Sequence, residues 1–385
     1  MKAVLRREMR RIVTRPLELL LLVVLPALAL GFTWAIFSAG LPRELPVAVV
    51  DQDHSRLSRQ LVRMIDATPA VHVAERPADP KAAEELVLAG RAYAYVLLPE
   101  GLERGVKRGQ AEPVVAYTNA QLLVPASLVR RDLLAATSTL SAGIKLRRLR
   151  AAGETEASAR VRFEPVRADV HALFNPQLNY VSYIFVALFP TLLHVFVLLA
   201  AVNSVGSELR EGTAGEWLET AGGSVTRALA GKLLPSTVAF LAVAAVAMGV
   251  LFGLAGVPMR GSRALLLLGT LLFVLAYQAI GVLIVALFAN LRFATSVAAF
   301  LASPAFAYAG ITFPTMGMPA FARLWGALLP LTHYLKLLVD QSMKGAPAAV
   351  SAPSLLALLA FVVAAPLLAW PRRRVFGDPR CWGKR

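Results

Sequence analysis

The stretch ALLLLGTLLFVLAYQAIGVLIVALFA, residues Ala264–Ala289, decides the fold class of this chain. It holds no charged side chain, and an apolar helix of about 20 residues is long enough to cross the hydrocarbon core of a bilayer. The rest of the chain has the same character: 57% of its residues are hydrophobic, only 17% are charged, and the mean hydropathy is +0.61. This composition is typical of an integral membrane protein and excludes an ordinary soluble domain.

Five other apolar stretches resemble it in length. They are Leu17–Phe37, Val181–Val202, Leu233–Val257, Phe293–Phe313 and Ser354–Trp370. The first follows a basic segment and has a cleaved signal peptide as its alternative, but its apolar core is long enough to cross the membrane, which favours an anchor. The sequence therefore predicts an α-helical polytopic membrane protein with six transmembrane helices and an α/β extracytoplasmic domain inserted between helices 1 and 2.

Basic residues crowd both ends of the chain, which carries a net charge of +16. The positive-inside rule then places both termini in the cytoplasm, and an even number of spans agrees with this. The charge is more typical of contact with an anionic membrane surface than with nucleic acid, because no recognition module accompanies it. In a bacterium this predicts a multi-pass protein of the cell (inner) membrane. The predicted segments are an amphipathic interfacial helix at 1–16, transmembrane helix 1 at 17–38, the external domain at 39–179, helices 2–6 at 180–372 and a basic cytoplasmic tail at 373–385.

The segment 39–179 alternates short β-branched runs with helical stretches, which predicts an α/β fold. The strand runs are Val47–Val50, Val71–Val73, Ala92–Leu98 and Val114–Tyr117, and the helical stretches are Ser55–Asp66, Pro80–Leu88 and Gln121–Ala152, the last ending near Gly153 as a stalk or a connector. Asp51, Asp53 and Ser55 resemble the start of a calcium loop, but the remaining ligands do not follow. A helix cap after the first strand is the favoured interpretation.

Few polar side chains lie within the predicted spans: mainly His194, Gln278 and Glu18. An ion-coupled carrier keeps ionisable groups at membrane depth, so this chain is expected to draw its energy from elsewhere. His194 is either a packing residue or a contact to substrate or proton. The five histidines are scattered and the single cysteine, Cys381, excludes an intrachain disulfide. No catalytic or metal constellation is predicted.

The loop 203–232 carries an unusual acidic cluster for a cytoplasmic loop. Glu208, Glu211, Glu216 and Glu219 surround Gly212 on the side where basic residues are preferred. Either a partner protein binds this surface, or the loop is merely solvated.

Three groups of residues together resemble one transporter family, the ABC-2 type transporter permeases. The segment Ser207–Thr213 (SELREGT), followed by Gly231–Pro235 (GKLLP), resembles the family's Glu-x-x-x-Gly-Thr coupling segment and its Gly-Lys. The other matching segments are Gly310–Pro314, Met318–Pro319, Leu329–Tyr334 with Gly345, and Asp51–Ser55 after the strand Val47–Val50. The resemblance covers nearly the whole chain, and is to the subgroup with a large external domain, similar to the multidrug-export permeases of Gram-negative bacteria.

This resemblance implies a half-transporter that pairs with a second permease subunit, as a homodimer or heterodimer, and binds cytoplasmic ABC ATPase subunits. ATP and Mg²⁺ would bind to the partner ATPase and no cofactor to this chain, because Gly231–Lys232 lacks the rest of a phosphate-binding loop. A periplasmic adaptor protein is a further implied partner. The implied substrate is amphipathic or hydrophobic, such as a drug or a lipid-like molecule.

The resemblance also implies roles for individual residues. The ATPase-coupling loop would contain Glu208, Arg210, Glu211, Gly212 and Thr213. An outer re-entrant segment at 313–346 would contain Phe313, Pro314, Pro319, Pro330 and Tyr334. Spans two and five would line the pathway, with His194 and Ser303 as candidate lining residues.

Two functions of other classes stay open. An ion-coupled secondary carrier would be supported by internal repeats and buried charged pairs, neither of which the sequence reveals. A non-transporting envelope receptor or scaffold would use the external domain alone.

Overall fold

The computed structural model describes residues 2–151 and 173–381, which form two compact units. The first unit comprises Met1–Ser38 and Asn179–Arg385, and the second comprises Ala39–Leu178. The first is helical, and the second combines a sheet with helices.

In the helical unit, five helices are long and apolar enough to cross a membrane among the described residues. They are α2 (Pro16–Phe37), α7 (Val181–Glu211), α9 (Val225–Leu254), α10 (Arg263–Phe288) and α15 (Ala348–Ala369, which a 3₁₀ turn extends over Trp370–Gly377). α7 and α10 are the most buried of these five, so they form the centre of the unit. The buried side chains of this core include Phe185, Val197, Phe240 and Phe273.

Shorter helices complete the unit. α1 (Lys2–Thr14) precedes the first span, and α8 (Ala214–Thr220) lies between α7 and α9. After α10 come α11 (Leu291–Ala302), α12 (Ala305–Tyr308), α13 (Ala320–Ala327) and α14 (Pro330–Val339), with a π-helical turn at Asp340–Lys344. Ser224, Ser262 and Asn290 cap the starts of α9, α10 and α11, since each side chain accepts a hydrogen bond from a backbone N–H of the first turn.

The predicted span Phe293–Phe313 is not one continuous helix. α11 has only 12 residues, which rise about 18 Å, and the chain turns at Ser303–Pro304 before the four residues of α12. Pro304 lacks a backbone N–H and its ring clashes with the preceding turn, which accounts for the break. The sequence predicted six long apolar helices, and the structure has five of them in the part of the chain that it describes.

The second unit contains a four-stranded sheet in the order β2-β1-β3-β4. Its strands are β1 (Leu45–Asp51), β2 (Val71–Glu75), β3 (Ala94–Leu98) and β4 (Val115–Thr118). β1 runs parallel to β2 and β3, whereas β4 is antiparallel to β3. Its helices are α3 (Arg56–Asp66), α4 (Pro80–Leu88), α5 (Leu102–Arg108) and α6 (Leu123–Ala151).

The long helix α6 packs into this unit through its N-terminal half. Leu128, Leu133 and Leu140 are buried with the sheet residues, and Asp132 accepts a 2.9 Å hydrogen bond from the backbone of Ala70. This half of α6 is thus part of the domain core rather than a free stalk, and its predicted end near Gly153 lies outside the described residues.

The carboxylates after β1 cap local backbone. Asp51 accepts hydrogen bonds from the N–H groups of Asp53 and His54, and Ser55 caps α3 by accepting one from Ser58. The predicted cap is confirmed. Within the described ranges, no group of His, Cys, Asp and Glu could hold a metal ion.

Candidate functional site

The Glu208 carboxylate is the centre of a buried network of charges in the last turn of α7. Its side chain is 0% exposed, and its oxygens accept hydrogen bonds from Arg7 at 2.8 and 3.0 Å. Arg11 donates to the same carboxylate, and the Lys232 Nζ of α9 lies 2.8 Å from its Oε1. One acidic side chain therefore joins α1, α7 and α9.

Lys232 links a second carboxylate to this group. Its ammonium, also fully buried, donates at 2.6 Å to Oε2 of Glu8 on α1. The other oxygen of Glu8 accepts a 3.1 Å bond from the hydroxyl of Ser204 on α7. α1 is thus held against both spans by charge-assisted bonds, which are stronger than bonds between neutral groups.

Arg11 extends the network to the start of α2. Its Nε donates to Oε1 of Glu18 at 2.8 Å, and its Nη2 donates to the Ser207 hydroxyl. We call the six side chains Arg7, Glu8, Arg11, Glu18, Glu208 and Lys232 the buried ion cluster. Three cations balance three carboxylates, so the cluster has no net charge. A buried charge without a partner costs several kcal/mol, and here every member has one.

The turn after Glu208 depends on Gly212. This residue ends α7 in the left-handed region, with φ of 73°, where glycine has no steric penalty. The hydroxyl of the next residue, Thr213, donates back to Glu208. Beside the turn, Arg15 forms two 2.7 Å bonds with Glu211, which raise the pKa of Arg15 above its usual value.

The short helix α8 is fixed by a tryptophan and presents acidic side chains outward. Trp217 is fully buried, stacks edge-on against Phe376 at 6.1 Å, and lies 5.6 Å beneath the Lys232 ammonium. Glu216 and Glu219 are exposed. We call Glu216 and Glu219 the outer face of α8. α8 follows α7 directly, and its Trp217 packs beside Lys232 of the cluster.

The structure brings the five predicted coupling-loop residues together but gives them different orientations. Glu208 and Thr213 face inward and bond to each other, whereas the side chain of Arg210 is 46% exposed. Glu211 is 24% exposed and pairs with Arg15, and Gly212 forms the exposed turn. Glu208 therefore organises the loop from within.

The predicted outer-segment residues fall on short helices and their connections. Phe313 and Pro314 are exposed in the connection before α13, and Pro319 precedes that helix as its cap residue. Pro330 is the buried first residue of α14. Tyr334 is buried, stacks on Phe273 at 4.3 Å and shares a 3.0 Å hydrogen bond with Thr270 of α10.

The two candidate pathway residues do not share an environment. His194 is fully buried on α7 and lies 4.9 Å from the ring of Tyr277, whereas Ser303 is exposed at the end of α11. Gln278 is bonded to Thr237 and Ser236 at 2.8 and 3.0 Å. These bonds account for Gln278 as a helix-packing residue.

The small residues of α11 divide between two faces. Ala294, Ala298 and Ala302 are buried in the core with α7 residues, and this close packing fits their small size. Phe293 and Phe300 on the other face are 54% and 72% exposed. Intrachain packing therefore explains the alanines, whereas the phenylalanine face stays largely exposed, with Phe293 packing edge-on against Phe288 at 4.8 Å.

The contacts within the buried ion cluster were not predicted from the sequence. Glu18, Glu208 and Lys232 were named without ionic partners, and the expectation that buried charged pairs are absent is wrong. A signal was present, because Glu8 is the one acidic residue among the arginines of α1, and Lys232 lies directly before the apolar stretch Leu233–Val257. Glu8 and Lys232 are far apart in the sequence, so their salt bridge could not be predicted from local pattern.

The comparisons with known proteins agree with the helical architecture. A family model described as ABC-2 family transporter protein matches residues 18–370, nearly the whole chain. A search of curated proteins found no match. The matched range includes all five candidate spans almost completely, together with α8 and three of the six residues of the buried ion cluster, Glu18, Glu208 and Lys232. This chain therefore belongs to the ABC-2 transporter family and is a multi-pass membrane protein with a permease role in transport.

Proposed function

We propose that this chain is the membrane-spanning subunit of an ABC exporter, powered by a separate ATPase that binds the outer face of α8. The observation that carries the proposal is the placement of Glu216 and Glu219 on a short helix anchored by Trp217 at the end of α7. Exposed acidic groups on a firmly held helix suit a partner with a basic cleft. ATP and Mg²⁺ would bind to that partner.

The buried ion cluster supports a mechanical role for this helix. Movement of the ATPase would push α8, and the cluster would carry the displacement to α1, α7 and α9 together. Buried charge pairs resist separation, because a lone charge in a low-dielectric interior is costly. The cluster would thus make the loop and three helices move as one body, with α1 as an interfacial helix in the cytoplasmic headgroup layer.

A second permease subunit, identical or related, would complete the pathway. The exposed Phe293 and Phe300 of α11 give an apolar face for such a partner or for the substrate, and Ser303 lies at the end of the same helix. On α7, the side chain of His194 is buried in the core of the helical unit. An apolar pathway of this kind suits an amphipathic or hydrophobic cargo, such as a drug or a lipid-like molecule.

The remaining parts would act on the outer side of a bacterial inner membrane. The short helices α13 and α14 would form the re-entrant segment that closes the pathway, anchored by the Tyr334 contact with α10. The sheet-containing unit would lie outside the cytoplasm, where it could pass cargo to a periplasmic adaptor. Both termini would be cytoplasmic, in keeping with their basic residues.

Co-purification tests this proposal. Wild-type protein extracted from native membranes is expected to retain an ATPase subunit, and Glu216→Arg/Glu219→Arg is expected to lose it. The matched control is Glu84→Arg/Glu85→Arg, which reverses two exposed acids on α4 of the other unit. Retention of the ATPase by the α8 variant would contradict the docking site, and its absence from wild type under mild extraction would contradict the ATPase partner.

An ion-coupled carrier is the second candidate, because the buried ion cluster supplies titratable groups that such a carrier needs. Each carboxylate of the cluster is bonded to Arg or Lys, which favours a structural role. Transport that continues without ATP but stops when a proton ionophore is added would support the carrier instead.

A further inference from the structure

Helices α9, α10 and α15 leave a cleft of about 580 Å³ between them. The volume lies within the range of about 300–1,000 Å³ that is usual for small-molecule sites. Its walls are mainly aliphatic and include Leu229, Leu233, Leu275, Val362 and Pro366. All three helices are candidate membrane spans, so membrane lipid can reach the opening between them.

The length of the cleft matches one leaflet of a bilayer. Its α10 wall extends from Leu271 to Val282, a rise of about 17 Å. Half of the hydrocarbon core measures about 15 Å. An acyl chain lying along the helices would therefore fill the cleft from the headgroup level to near the middle of the membrane.

A basic and aromatic pair forms the mouth of the cleft. The Arg373 guanidinium lies 4.3 Å from the centre of the Trp370 ring and donates a 3.1 Å bond to the Trp370 carbonyl. No salt bridge in the described part of the chain involves Arg373, and none of the residues lining the cleft is acidic. Trp and Arg at the end of a spanning helix mark the headgroup level. The mouth is complementary to an anionic group.

The polar groups deeper in the cleft are engaged with each other. Thr237 donates to Gln278, and Gln278 donates to Ser236, at 2.8 and 3.0 Å. Because these polar groups already have partners, the deep part of the cleft does not need a polar ligand. The cleft thus combines a hydrocarbon-like interior with a cation at its mouth, Arg373, that forms no salt bridge with any residue the structure describes.

We propose that this cleft binds one anionic phospholipid from the membrane, with an acyl chain between α9, α10 and α15 and the phosphate at Arg373. The site is separate from the outer face of α8 and from the exposed face of α11, so the inference goes beyond the transport function and does not depend on the ATPase.

Native mass spectrometry of the full chain in detergent micelles tests the site. The probes are phosphatidylglycerol and phosphatidylcholine with identical acyl chains. The first bound phosphatidylglycerol is expected to bind about fivefold more tightly than phosphatidylcholine, the effect of one arginine near an anionic headgroup. Arg373→Ala is expected to remove this preference. Arg374→Ala is the matched control, because Arg374 is exposed and does not line the cleft, and it should keep the preference.

A second variant tests the interior. Ala279 lines the cleft, and Ala279→Phe would fill it, weakening the binding of both lipids; Leu233→Trp does the same from α9 if Ala279→Phe fails to fold. Equal binding of both lipids to wild type, or a preference that survives in Arg373→Ala, would overturn the proposal. So would displacement of the lipid by inorganic phosphate alone, or a change of oligomeric state in Ala279→Phe without loss of lipid, which would identify a second copy of the chain as the occupant.

Discussion

Removal of the Lys232 ammonium is the sharpest perturbation of the buried ion cluster. In Lys232→Met the side chain keeps a similar length but loses its charge. Glu8 then loses its one salt bridge, since Lys232 is its cationic partner among the described residues, whereas Glu208 keeps Arg7 and Arg11. The cluster changes from neutral to a net charge of −1, and the uncompensated carboxylate of Glu8 is buried.

The expected cost follows from the burial of Glu8 and Lys232, which are 2% and 1% exposed. Removing one partner of a buried pair costs about 3–5 kcal/mol, because the remaining charge is left uncompensated. Adding Glu8→Gln restores neutrality. The double variant should therefore be more stable than the sum of the single effects predicts, by about 1–3 kcal/mol.

The assay is the free energy of unfolding, measured by denaturant titration in detergent micelles for the wild type, both single variants and the double variant. Arg91→Met serves as the control, because its pair with Glu75 is largely exposed and worth about 0–1 kcal/mol. A loss below about 1 kcal/mol for Lys232→Met, or additive effects in the double variant, would show that this network does not hold the three helices together.

Three further substitutions test neighbouring parts of the structure. Gly212→Ala should cost about 1–2 kcal/mol in the same titration, because the left-handed φ of 73° and not crowding penalises a Cβ there, and Gly212→Asn should cost less. Trp217→Ala removes the buried contact with Phe376, about 3–5 kcal/mol by analogy with other cores, and should speed hydrogen exchange in α8 while α10 stays protected. Tyr334→Phe loses the bond to Thr270 but keeps the ring stack, so a loss of about 0.5–1.5 kcal/mol is expected; no measurable loss would show that the hydrogen bond has no net value.

The long spans were predictable because each is decided by its own composition. The stretch Ala264–Ala289 and the helix Arg263–Phe288 differ by one residue at each end. The four β-branched runs likewise form the four strands of one sheet. Strand order was not predictable in this way, because it depends on pairing between segments far apart in sequence.

Two features could not be inferred from local pattern. One is the break at Ser303–Pro304. A proline can either end a helix or kink it, and apolar composition alone does not show which of the two occurs at Pro304. The bond between Glu8 and Lys232 joins residues 224 positions apart, so only the folded bundle brings them together. The sequence shows the acidic loop, but Glu208 faces inward because α1 and α9 pack against the end of α7, and Glu219 faces outward because the Trp217 side of α8 is packed.

Photo-crosslinking can detect an ATPase bound to the outer face of α8. A photoreactive p-benzoylphenylalanine at position 219, which is exposed, is irradiated in native membranes, and the same group at the exposed position 85 of α4 serves as the comparison. We expect capture of a nucleotide-binding subunit from position 219 and none from position 85. Capture from position 85 alone, or from neither position in membranes where the transporter is active, would contradict this expectation.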